Sequence, residues 1–81
     1  MQSFHFNYFE EIKTEKSNWI RRLNFCSCDN NTGFLIMRTN KNEYIHQGVP
    51  ISRWRQFKVA ESFGTYYNEN IKHRYKLVVG Q

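Results

Sequence analysis

The chain is poor in the residues that break or join structure. Its 81 residues hold one proline, Pro50, and four glycines, with no stretch rich in proline, glycine or serine and no internal repeat. A string of linked domains is therefore not expected, and the length suits one domain. Long apolar runs are also missing. None approaches the roughly 18 residues that a helical membrane span needs, so no membrane partner is expected. The first residues lack a basic region followed by an apolar one, and no secretory leader is expected. Cysteine is limited to Cys26 and Cys28. On a strand, positions two apart point the same way, and a disulfide between them would be strained. Reduced thiols and a cytoplasmic location are the simpler expectation. Negative charge is scarce as well: seven acidic residues stand against twelve Lys and Arg, a formal net charge of +5.

That charge is uneven. Residues 1–16 hold three Glu and two Lys, a sum of −1, whereas residues 17–81 hold ten Lys or Arg against four Asp or Glu, a sum of +6. A basic body favours an anionic partner, most simply nucleic acid. Aromatic residues make up 17% of the chain, and a core this thin depends on them.

The stretch from Val49 to Tyr75 organises the rest. Pro50 suits the first position of a helix, where its missing N–H is no loss. Trp54, Phe57 and Ala60 then fall along one helical stripe, with Arg55, Lys58 and Ser62 on the other side. Gly64 marks a stop, and Thr65 can begin a second helix on which Tyr67, Ile71 and Tyr75 share a face. Ser62, between the helices, suits a capping role.

Upstream, residues 17–28 read as a strand with Trp19, Leu23 and Phe25 on one face. Asp29-Asn30-Asn31-Thr32-Gly33 reads as a turn. Phe34 to Thr39 is a second strand, with Leu35 and Met37 on one face, and Glu43 to His46 a third. The fold expected is α+β: a three-stranded antiparallel meander covered by two short C-terminal helices. Lys76 to Val79 can add a short terminal strand. Trp54, Phe57, Tyr67 and Ile71 should be buried against Leu23, Phe25, Leu35 and Met37. Residues 1–16 form an N-terminal extension to the domain of residues 17–81. Phe4, Phe6 and Tyr8 alternate as in a strand, whereas Phe9 and Ile12 with Glu10, Glu11 and Lys13 have helical spacing. The Asn7-to-Glu10 capping-box spacing favours a short helix near residues 7–15. In either case Phe4, Phe9 and Ile12 should dock on the domain.

Several ordered matches resemble the KTSC domain, which takes its name from the C-terminus of some lysyl-tRNA synthetases and also occurs as a free-standing small protein. They are Ser17-Asn18-Trp19-Ile20, the turn ending in Gly33, Gly48-Val49-Pro50, Trp54, Phe57, Ala60-x-Ser62-x-Gly64, Tyr67-Asn68, and Ile71 through Tyr75. The resemblance covers about residues 17–75. The family's central Tyr-x-Tyr is Tyr44-Ile45-His46 here, Arg53 stands at an aliphatic helix position, and the loop around Cys26–Asp29 is longer than usual. The resemblance implies a small α+β domain and suggests a role in RNA binding.

For chemistry, the basic and aromatic residues carry most weight. Arg53, Arg55 and Lys58 belong to the first helix, and Lys72, His73, Arg74 and Lys76 close the second. These cations can neutralise phosphates, and Tyr44 can stack on an unpaired base. Cys26-x-Cys28 with His46, His5 or His73 lacks the second ligand pair of a structural zinc site, so neither metal nor cofactor is expected. Ser62, Cys28, His46 and His73 match no catalytic spacing, and no enzyme activity is expected. The leading expectation is an RNA-binding or other nucleic-acid-binding module, monomeric or a small homo-oligomer. The alternative is a protein-interaction module, such as a small phage or mobile-element protein that binds and inhibits a host protein.

Overall fold

The computed structural model describes residues 7–13 and 19–80. Five strands form one antiparallel sheet in chain order: β1 (Tyr8–Lys13), β2 (Ile20–Ser27), β3 (Thr32–Thr39), β4 (Glu43–Pro50) and β5 (Lys76–Val79). Helix α1 (Ile51–Lys58), helix α2 (Phe63–Tyr66) and a π-helical turn (Tyr67–Ile71) lie between β4 and β5. The α+β class is as expected. The sheet is larger than a three-stranded meander, because strands add at both edges.

At the first edge, β1 replaces the helix expected near residues 7–15. All six of its residues pair with β2, from Tyr8 opposite Ser27 to Lys13 opposite Arg22. Tyr8, Glu10 and Ile12 are half-buried and alternate with exposed Phe9, Glu11 and Lys13. A helix this short has little stability alone, whereas a strand here gains a full ladder. Glu10 does not act in a capping box. Its carboxylate accepts from the Tyr8 hydroxyl at 2.6 Å, from Trp54 Nε1 at 3.0 Å and from Lys58 Nζ at 3.0 Å. Ile12 packs on the core as expected, but Phe9 is 62% exposed and does not dock. Phe4 lies outside the described residues.

Two of the three register shifts among the described residues of the sheet set which residues of β2 and β4 face inward. Ile20 opposes Thr39 and Arg22 opposes Arg38, so Arg21 is an extra residue in β2. This bulge turns Ile20 into the core and Arg21 out towards Asn40. A second bulge separates the Gly33–Val49 and Leu35–His46 pairs. It holds Gly48 at φ 76°, a conformation glycine adopts without strain. That freedom carries β4 on to Pro50, past the His46 expected as its end, and buries both His46 and Val49. Pro50 is thus the last residue of the strand and precedes the helix rather than opening it.

The helical layer covers one face of the sheet. Trp54 stacks on Phe25 with ring centroids 5.5 Å apart, and Phe57 meets Phe63 and Tyr66. All eight residues expected in the core are buried, and Ile20, Val49 and Phe63 join them. The break between helices lies at Val59–Ser62, not at Gly64. The Ser62 hydroxyl caps α2 by accepting from the Thr65 N–H at 3.2 Å. Gly64 sits inside α2 against Trp19, where a β-carbon would come within 2.9 Å of the indole Nε1.

Candidate nucleic-acid interface

The π-helical turn ends with the Lys72 N–H donating to the Tyr67 carbonyl at 2.8 Å. His73 then takes a left-handed conformation, φ 67°, and reverses the chain into β5. Lys72, His73, Arg74 and Lys76 consequently gather on one rim of a groove of about 580 Å³. Its floor and far wall are aromatic and apolar: Trp19, Met37, Tyr44, His46 and Tyr67. No carboxylate among the described residues lines it. A volume of this size falls within the range of small-ligand sites.

Two polar groups lie in this aromatic floor, the His46 ring and the Tyr67 hydroxyl, and both are internally satisfied. His46 is 2% exposed, and burial lowers its pKa, which keeps the ring neutral. Its Nδ1 lies 3.3 Å from the Tyr75 carbonyl, so that nitrogen carries the proton and donates. Nε2 then accepts from the Tyr67 hydroxyl at 2.8 Å. The same burial pushes the Tyr67 hydroxyl up to about 12. Trp19 meets Tyr67 edge to face at 6.3 Å.

The sequence-selected residues separate into two sets. Lys72, His73, Arg74, Lys76 and Tyr44 converge on the groove. Arg53, Arg55 and Lys58 do not line it. Arg53 lies at the seam between the helical segments. Its Nε donates to the Tyr75 hydroxyl at 3.4 Å, and its Nη1 to Gln56 Oε1 and Asn70 Oδ1, both at 3.3 Å. An arginine thus occupies an aliphatic position by pairing across the seam. Lys58 is held by Glu10. Arg55 is exposed on α1.

Sequence reasoning placed Trp19 on the strand face of Leu23 and Phe25, and Tyr67 in the core, and missed both as walls of the groove. Tyr67 is 5% exposed, but Trp19 is 37% exposed. The available signal was the Tyr44-x-His46 alternation, which places two side chains on one face of β4. Cys26 is buried and Cys28 exposed, and both are free thiols. Among the described residues no group of three His, Cys, Asp or Glu could hold a metal, and no helix is long and apolar enough to cross a membrane.

One antiparallel sheet, covered on one face by a broken helical pair and carrying a cation-rimmed groove, defines a small α+β domain. The chain belongs to the KTSC domain family, whose model matches residues 32–75, more than half its length. No curated protein and no solved structure matches the chain.

Proposed function

We propose that the protein is a non-enzymatic module that binds single-stranded nucleic acid, RNA foremost, in this groove. The observation that carries the reading is the convergence of Lys72, His73, Arg74 and Lys76 on an aromatic groove that no carboxylate among the described residues lines. The cations hold phosphates, and Tyr44 and Trp19 offer ring surface to unpaired bases. Two free thiols suit work in a reducing cytoplasm.

The test is a salt titration of binding to a fluorescent oligouridine. Lys72→Glu with Arg74→Glu should weaken binding at least about tenfold at low salt. It should flatten the dependence on log salt by about 0.7 for each phosphate no longer held. Arg55→Glu should change little. Absence of salt-sensitive binding by the parent would overturn the reading.

A second reading, docking on another protein, is favoured by the uncovered face of the sheet. Phe9, Phe34 and Val79 are 62%, 38% and 45% exposed, and exposed apolar surface of this kind suits a protein partner. Binding to a host-protein partner that resists salt would support it.

A further inference from the structure

A second hollow, of about 210 Å³, lies at the β3–β4 turn. Trp19 and Tyr44 line both this hollow and the groove, so their side chains form a wall shared by the two. The turn that supplies its other side is firmly tied. The Thr39 N–H donates to the Asn42 carbonyl at 2.8 Å, and the Thr39 hydroxyl accepts from the N–H groups of Lys41 at 3.2 Å and Asn42 at 3.0 Å. Asn42 Nδ2 donates to the Tyr44 hydroxyl at 3.3 Å, which joins the turn to the wall. Lys41 projects from this braced turn, exposed and with no side-chain partner among the described residues. No carboxylate among the described residues lines the hollow.

We infer that the bound strand crosses the Trp19–Tyr44 wall and that a second, adjacent nucleotide occupies the hollow, with Lys41 on its phosphate. This rests on the nucleic-acid reading of the groove and extends it. The chemistry matches on both sides of the wall: aromatic surface for a base, and cations placed on rigid backbone for phosphate. The wall separates neighbouring bases, so the footprint requires an unstacked, single-stranded ligand. A duplex, with its bases stacked and paired, does not fit it.

The inference is tested with two ligands, 5′-UMP and the dinucleotide pUpU, titrated by NMR and by a salt series. The variants are Lys41→Glu, Lys72→Glu and Arg55→Glu. Replacing Lys41 leaves the turn intact, because only its backbone N–H bonds there. Lys41→Glu should weaken pUpU roughly three- to tenfold and lower its salt slope by about 0.7, while leaving UMP within twofold. Lys72→Glu should weaken both ligands, and Arg55→Glu neither. If Lys41→Glu leaves pUpU unchanged, or weakens both ligands equally, the second position is overturned and the groove reading stands. If neither ligand binds the parent, the groove reading falls, and this inference with it.

Discussion

Glu10 accepts from three donors, two of them neutral and one charged, and those on Trp54 and Lys58 join the first strand to the first helix. The Tyr8 hydroxyl and the Trp54 indole N–H, with Lys58 beside them, hold its carboxyl down from the usual 4.5 to about 2. A carboxylate depressed in the folded state adds stability at pH above its ordinary value. That stability is lost as pH falls from about 4.5 towards 2. The side chain is 34% exposed, so solvent screening reduces the contribution to about 1 kcal/mol. Glu10→Gln should therefore lower the melting temperature at pH 7, and the gap from the parent should close between pH 4.5 and 2. Thermal melts across that range check it. A gap that widens in acid would rule out the ionised carboxylate as the stabilising form.

At the scale of elements, the helical layer is broken by a short loop and a cap rather than by glycine. Ser62 caps α2, and the π-helical turn that follows keeps Tyr67 and Ile71 buried together. Gly64 has another duty, a close approach to Trp19. A β-carbon there would meet Nε1 at 2.9 Å and Cζ2 at 3.3 Å, closer than packed atoms settle. The indole is partly exposed and can move, so the strain is relieved by displacing it rather than by unfolding. Gly64→Val should destabilise by about 1–3 kcal/mol and shift the indole N–H resonance of Trp19 while that of Trp54 stays in place. An unmoved Trp19 resonance would show that the helix and the indole are not in close contact.

For the whole molecule, one helical layer on one face of a single sheet leaves a thin core. Trp54 is its centre: fully buried, stacked on Phe25 and bonded to Glu10. Trp54→Ala removes an indole from a space the layer cannot close, and changes of that kind cost about 3–5 kcal/mol. Domain stabilities of about 5–15 kcal/mol make that a large share. Urea denaturation should show a much lower midpoint. A midpoint close to the parent's would mean that the sheet and helices hold without the stacked pair.

Wherever a residue's environment follows from its near neighbours, the sequence alone determined it. Alternation placed Leu23, Phe25, Leu35 and Met37 inside, helical spacing added Trp54, Phe57, Tyr67 and Ile71, and all eight are buried. The gathering of Lys72, His73, Arg74 and Lys76 is likewise legible, since they are nearly consecutive. Residues 7–13 carry both helical and strand spacing, and only pairing with β2 chose between them. The bulges at Arg21 and Gly48 each shift a face by one residue, which a period count cannot foresee. Arg53 and Lys58 look like free cations in sequence. Their partners Tyr75 and Asn70, and Glu10, stand 22, 17 and 48 residues away. The groove itself exists only because β4, the residue before β2 and the turn after Ile71 meet in space. Periodicity and charge are local and survive in a sequence, whereas pairing register and the partners of a charge are set by contacts between distant segments.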